Sequence, residues 1–371
     1  MARRGSIQSL ADGLRQAGAQ VSFLSIRFSL LSRLTKDPRS FLWDRANRCE
    51  DHAGITCFIW KTPLHPARTG IALADRALRG SYARYGRMRN DGMDALIERA
   101  DVVVLESGHS IVLIPRIKRL NPAAKIFYRA SDRLDVIRAG DTLQGMLRSS
   151  VDDVDGYLLI SEGLLEDFAF AREKSHILPL GLDKSLYDKT WPSPFKTRRP
   201  AAVSVGSMLF DLDMVDWAAE AHPDVDFHII GSRATPRTRR DNLFFYDEMP
   251  FVETLPYVSN ATIGLAPYRS TPGAHYLAQS SLKLLQFAYL RIPVACPDFA
   301  VGHVAGRHGY RPGERDSVVH AVGAALEHGE VPYVPVPDWG EITQRFLRIL
   351  DRAAGQTSAS RAAPRSVDGA A

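Results

Sequence analysis

A doubly wound α/β fold in two domains, with a cleft between them, is predicted by three observations. At 371 residues the chain exceeds what one hydrophobic core of ordinary size holds. Short β-rich runs alternate with helix-length amphipathic stretches. The runs are apolar on both faces, as strands of a parallel sheet covered by helices are.

The elements follow in order. Ile7, Leu10, Ala11 and Leu14 fall on one helical face, so the chain opens with a helix where a doubly wound domain normally opens with a strand. Strands are predicted at "QVSFLSI" (20–26), "ITCFIW" (55–60), "DVVVLES" (101–107), "AKIFYRAS" (124–131), "DGYLLIS" (155–161) and "HILPL" (176–180), which makes 1–190 the first domain. The prolines and basic residues of "WPSPFKTRRP" (191–200) read as a linker. A second domain, 201–352, holds "AAVSVGS" (201–207), "DVDFHIIGS" (224–232), "NLFFYD" (242–247), "ATIGLAP" (261–267) and "IPVACPD" (292–298). Residues 353–371 lack a core pattern and read as a disordered tail.

Composition narrows the function classes. With 45% hydrophobic and 24% charged residues the chain is of the soluble globular kind. It has no apolar run of spanning length, and no apolar signal core follows Arg3-Arg4, so a cytoplasmic location is expected. Cys49, Cys57 and Cys296 form no CxxC pair, which argues against a disulfide framework or a zinc knuckle. Residues 1–90 carry 16 Lys or Arg against 6 Asp or Glu, net +10, which leaves net −5 for the remainder. In that first quarter, "SIRFSLLSRLTKDPRSFLWDRANR" interleaves Phe28, Leu30, Leu31, Leu34, Phe41, Leu42 and Trp43 with Arg27, Arg33, Lys36, Arg39, Arg45 and Arg48. The mixture suits an interfacial segment on anionic lipid; a core-facing helix with a solvated basic face fits equally. No nucleic-acid-binding pattern is present.

Ligands of open α/β sheets bind beyond the carboxyl ends of the strands, and Asp132 of "YRASD" sits beyond one such end. Glu106, Glu162, Glu166 and Asp167 occupy similar turns, where a carboxylate is also a common helix-start signal, and Ser131 or Asp132 could be only an N-cap. In the second domain "VGSMLFD" puts Gly206 and Ser207 at a strand end, where backbone amides can approach a phosphate. "LAPYRSTPGAHYLAQSSLKLLQF" then supplies a polar turn and a helix opened by Ser280-Ser281, with Lys283 in its first turn and Gln286 one turn later. A helix start beside an ammonium suits a diphosphate; a solvated surface lysine is the plainer alternative. Neither GxxxxGK[ST] nor HExxH occurs. D-x-D occurs at Asp153–Asp155, Asp211–Asp213 and Asp224–Asp226, and all three read as structural.

With "ESG", "NPAAK", "YRASD", "VGSMLFD", "FHIIGS", "APY", "YLAQSSLKLLQ" and "DSV", the chain closely resembles the GumK-like glucuronosyltransferases, glycosyltransferase family 70, from about Arg3 to Ala325. The resemblance implies a GT-B fold of two Rossmann-like domains, and an inverting, metal-independent enzyme without cofactor, peripheral to the cytoplasmic face of the inner membrane. Such an enzyme transfers glucuronic acid from UDP-glucuronate to the mannose of a polyprenyl-diphosphate-linked oligosaccharide in exopolysaccharide synthesis. It places the catalytic base on Asp132 and donor-site residues on Met208, Tyr268, Leu277, Lys283 and Gln286, with Leu282 where the family has methionine. Asp167 takes the place of a family glutamate, and Arg133 that of the glycine in "ASDG". Ser281 helps stabilise the leaving diphosphate, Ser207 is a secondary donor-side candidate, and Arg269 or His275 is expected to meet the glucuronate carboxylate.

Relatives of this kind begin with a strand and a short loop before the Arg3-Arg4 position, so about twenty residues, including the first strand of the amino-terminal sheet, are expected to be missing upstream of Met1. Without them the chain is expected to be poorly soluble or inactive, since a central strand pairs on both edges. A sugar-nucleotide epimerase is the less favoured class, because no GxGxxG turn follows the first strand. A catalytically impaired GT-B protein acting as a binding or scaffold partner, or a transferase using another UDP-sugar, is the alternative reading.

Overall fold

The computed structural model describes residues 5–35, 37, 39–66, 72–135 and 140–362. It divides into two compact units. The first comprises Ile7–Ile160, Leu164–Leu178 and the chain from Thr343 onward; the second holds Ser161–Gly163 and Pro179–Ile342. Arg3, Arg4 and Lys36, which entered the sequence reading, lie outside the described residues, as do residues 363–371.

The first unit opens, as expected, with the helix Ser6–Gln16, which buries Leu10 and Ala11. Its strands are β1 (Val21–Ser29), β2 (Cys49–His52), β3 (Ile55–Thr62), β4 (Val102–Glu106), β5 (Lys125–Ala130), β6 (Gly156–Leu159) and β7 (Ser175–Ile177). The second unit contains β8 (Ala201–Val205), β9 (Asp226–Ile230), β10 (Leu243–Tyr246), β11 (Ile263–Leu265), β12 (Val294–Pro297) and β13 (Arg307–Tyr310). Every run read as a strand is one. The two that were not read, β2 and β13, are "CEDH" and "RHGY", which carry no apolar pattern. β2 is held by its turn: Ala53 (φ 55) and Gly54 (φ 79) are both left-handed, the conformation a two-residue hairpin needs, and β2 therefore runs antiparallel to β3.

The second unit is the expected doubly wound sheet, six parallel strands in the order β10-β9-β8-β11-β12-β13. Its core joins Val215, Ala218, Phe227, Ile229, Leu265 and Val322 across the sheet and its helices. The first unit departs from a single sheet. It has a three-stranded sheet, β1-β3-β2, and a four-stranded parallel one, β4-β5-β6-β7. β1 and β4 are each sheet edges, and both are mostly half-exposed, where β5 and β6 are almost wholly buried.

Three further expectations are corrected. The boundary between units falls at Leu178/Pro179, and 191–200 is no free linker: Trp191 donates its indole N–H to the Leu186 carbonyl at 2.8 Å, and Phe195 packs on His228 with centroids 4.6 Å apart. The last helix, Trp339–Ala362, runs well past Ala353. From Thr343 it is counted with the first unit, where Phe346 meets Phe127 edge to face at 5.6 Å. Its start is fixed by a reciprocal cap, Asp338 N–H to Glu341 and Glu341 N–H to Asp338, at 2.9 and 2.8 Å. Finally, Phe28 is fully buried and Trp43 is half-buried against Phe28, Arg33 and Lys61; Leu30, Leu34 and Phe41 are the exposed apolar groups of that segment, at 54%, 81% and 75%, joined by Leu64 at 66%.

Candidate active site

In the first unit the carboxyl end of β5 delivers Asp132. The residues from Ser131 to Asp135 are irregular, with no helical residue among them, so neither Ser131 nor Asp132 caps a helix that starts directly behind it. Asp132 is half-buried and lines a cavity with Tyr128, Arg133, Gln144, Arg148, Asp167 and Phe170. Arg133 donates to both Asp167 oxygens, at 3.0 and 2.8 Å, and also pairs with Asp135 at 3.1 Å. Two of the positions at which this sequence departs from the expected pattern, Arg133 and Asp167, are therefore partners. Arg129, fully buried in β5, reaches Ser131 at 2.5 Å and Glu106 at 3.3 Å, tying the end of β4 to the turn that carries Asp132. Glu106 thus serves Arg129, while Glu162 and Glu166 are exposed.

In the second unit the turn after β8 contains Gly206, at φ 101, a conformation only glycine adopts easily, followed by half-buried Ser207 and exposed Met208. Phe210 bridges to Tyr268, which brings this turn beside the segment after β11. Ser281 caps the helix Leu282–Tyr289 by accepting the Leu284 N–H at 3.2 Å, and its hydroxyl also lies 2.6 Å from the Tyr268 hydroxyl. Leu277 is buried, whereas Leu282 is exposed at the helix start.

Lys283 is no surface lysine. It is 9% exposed, donates to the Ser204 hydroxyl at 2.9 Å and stands 5.2 Å from the centre of the Tyr268 ring. Burial brings its pKa down to about 7. No carboxylate lies within ion-pair distance of it among the described residues, and the positive end of its own helix opposes its charge. The Ser204 hydroxyl and the Tyr268 ring, both neutral, are its partners, so an arriving anion would find an ammonium whose charge the protein has left uncompensated. Burial also pushes the Tyr268 phenol up to about 12, keeping it neutral as a hydrogen-bond donor.

Gln286 lies on the same helix, but its amide nitrogen donates to the Tyr187 hydroxyl at 2.7 Å, which leaves its carbonyl and its second N–H to serve a ligand. Arg269 and His275 are both exposed; the Arg269 backbone N–H donates to the Leu209 carbonyl, and the His275 ring lies 3.2 Å from the Gly163 carbonyl. Ser204 and Tyr187 escaped the sequence reading. A hydroxyl inside the apolar run "AAVSV" was the available signal for Ser204; Tyr187 had none.

One carboxylate of each D-x-D pair has structural work. Asp155 accepts from Lys125 and the Ile126 N–H, Asp211 caps the helix Leu212–Ala221, and Asp226 accepts from Thr197.

Residues 1–159 match the family model for the N-terminal domain of glucuronosyltransferase GumK. A UDP-glucuronate:glycolipid 2-beta-glucuronosyltransferase from Xanthomonas campestris pv. campestris is 36% identical over 350 residues, which span 93% of this chain and 86% of that protein. Among solved structures, the trehalose-6-phosphate synthase OtsA aligns with a TM-score of 0.59 at 13% identity, covering 98% of this chain and 96% of its own. AviGT4, a glycosyltransferase involved in avilamycin A biosynthesis, aligns with a TM-score of 0.55 at 15% identity over 94% and 89% of the two chains. At such identities these neighbours speak for the fold alone, which is GT-B.

Proposed function

The chain belongs to the GumK glucuronosyltransferase family, and from that membership we propose that it moves glucuronic acid from UDP-glucuronate to a mannose of a polyprenyl-diphosphate-linked oligosaccharide, inverting the anomeric centre without a metal. The observation that carries the reading is Lys283: a buried ammonium with no carboxylate partner among the described residues, in the first turn of a helix whose cap, Ser281, is bonded to Tyr268.

In the proposed reaction Asp132 accepts the proton of the acceptor hydroxyl as its oxygen attacks the anomeric carbon. The bond from that carbon to the UDP oxygen breaks, and the electron pair leaves with the diphosphate. Lys283 and the amides at the start of Leu282–Tyr289 meet the charge that develops there. Tyr268 and Met208 hold the nucleotide, with the Gln286 carbonyl directed by Tyr187. Arg269 or His275, both exposed, supplies the cation for the glucuronate carboxylate. On the acceptor side, Gln144, Arg148 and half-buried Phe170 line the cavity beside Asp132 where the sugar would sit. A donor screen by UDP release, run with one lipid-linked mannose acceptor, tests the reading: UDP-glucuronate should be preferred over other UDP-sugars, and binding without any turnover would favour the scaffold alternative. The same assay in EDTA should keep its rate, because one carboxylate of each D-x-D pair is already engaged, Asp155 by Lys125 and a strand N–H, Asp211 as a helix cap and Asp226 by Thr197. Loss of turnover restored by magnesium or manganese would refute the metal-free course.

No helix among the described residues is long and apolar enough to cross a membrane. A peripheral contact with the cytoplasmic membrane face is proposed through exposed Leu30, Leu34, Phe41 and Leu64, flanked by exposed Arg33, Arg45 and Arg48. Binding to anionic vesicles should weaken as salt rises without vanishing, since screening removes the electrostatic part and leaves the apolar one. Equal partitioning onto neutral vesicles would remove the electrostatic half of the proposal.

A further inference from the structure

We propose that the carboxyl end of β1 is a second phosphate site, built from Arg27, His65 and His109, which takes the diphosphate of the lipid-linked acceptor; the assignment rests on the glucuronosyl transfer proposed above. β1 is bulged between Ser25 and Phe28, and within the bulge Arg27 stands at φ 58, a strained conformation for a residue with a side chain. The strain is held from two sides. The Tyr85 hydroxyl accepts the Arg27 N–H at 2.9 Å, and Arg39 donates to the carbonyls of Ile26 and Arg27, both at 2.8 Å. Backbone strain supported in this way at the carboxyl end of a parallel strand, where α/β sheets bind their ligands, marks a position kept for its side chain.

Two of the side chains gathered there keep an unused nitrogen. The Nε of Arg27 and the Nε2 of His109 are both buried and have no hydrogen-bond partner among the described residues. His109 stacks on Tyr82 with centroids 5.6 Å apart, and the Nδ1 of His65 lies 2.8 Å from the Ser29 hydroxyl. Burial, and after it the charge of Arg27, lowers the pKa of His65 to about 4 and that of His109 to about 3. Asp37 is the carboxylate that acts on Arg27 and His65, and Arg39 already holds both of its oxygens. A guanidinium flanked by imidazole N–H donors suits the several oxygens of a phosphate. The neighbours say which phosphate. Exposed Leu64 adjoins His65 and exposed Leu30 adjoins Ser29, so an apolar rim borders the guanidinium and its imidazole neighbours, as a diphosphate carrying a hydrocarbon tail requires.

Arg27→Gly is the informative variant, because it removes the cation while relieving the left-handed strain. Turnover is measured on two acceptors with the same sugar, one joined to polyprenyl diphosphate and one to an uncharged alkyl chain. The variant should raise KM for the diphosphate acceptor by roughly tenfold or more, the scale of a lost charge-assisted hydrogen bond, and leave KM for the alkyl acceptor and for UDP-glucuronate within about twofold. His109→Gln should act in the same direction. Equal losses on both acceptors, or no loss on either, would overturn the proposal. So would an Arg27→Gly protein that loses affinity for phosphatidylglycerol vesicles but still treats the two acceptors as wild type does, since the site would then serve a lipid headgroup. An activity-free measurement separates this idea from the transfer reading: inorganic pyrophosphate, added to the Lys283→Ala protein so that the donor site is disabled, should shift the ring resonances of His65 and His109. Ring signals that stay in place would sink the site whatever sugar the enzyme transfers.

Discussion

Asp132→Ala is expected to lower the transfer rate by about 100- to 10,000-fold, the usual contribution of a general base, while UDP-glucuronate affinity stays within about threefold. The separation follows from the placement of Asp132 beyond β5, in a half-buried turn of the first unit, whereas Lys283 belongs to the second. Single-turnover transfer gives the first quantity and calorimetry with the donor the second. Asp132→Asn sharpens the test, since it keeps the shape of the cavity and loses only basicity. An asparagine variant as slow as the alanine one identifies proton removal as the missing function. An alanine variant that keeps half the wild-type rate would take Asp132 out of the chemistry.

Lys283→Ala should weaken UDP binding by about 1.5 to 3 kcal/mol, a factor of roughly 10 to 150, the scale of a charge-assisted hydrogen bond. The pH dependence is the more particular signature. With the pKa of the free protein near 7, only the protonated amine can meet the diphosphate, so UDP affinity should be flat below about pH 7 and fall by up to tenfold per unit above it. The alanine variant should lose that limb. Folding stability should respond with the opposite sign. The folded-state pKa lies below the 10.5 of an ordinary lysine, so the unfolded chain binds more protons between these values and the wild-type protein gains stability as pH rises through the window. Lys283→Met should therefore raise the Tm of the ligand-free protein most at pH 6, where the buried charge is fully present. A variant that binds UDP normally, with an unaltered pH profile, would place the donor phosphates elsewhere.

Much of the fold was legible because both ends of the argument are local. The runs around Phe127, Leu158, Val203 and Ile229 are apolar on both faces, and such runs have few places to go other than the inside of a parallel sheet. The strands that stayed hidden, β2 and β13, owe their place to neighbours: β2 to the turn at Ala53-Gly54 and β13 to the edge of β12. The split of the first unit into two sheets concerns which edges β1 and β4 present, which no periodicity reports.

The candidate site divides in the same way. The sequence by itself determined that Asp132 follows a buried strand, that Lys283 opens a helix capped by Ser281, and that the amino-terminal quarter is strongly basic; spacing and residue chemistry suffice for these. Tertiary structure decided what each group is worth. Lys283 becomes an uncompensated cation because Ser204, 79 residues away, is its hydrogen-bond partner and no acid is. Arg133 is engaged because Asp167, 34 residues on, folds against it, and Gln286 is half-committed by Tyr187, 99 residues before it. Burial and partnership depend on what the chain brings from a distance, and desolvation, which sets the pKa of a lysine and the strength of an ion pair, exists only once those distant segments have closed over the group.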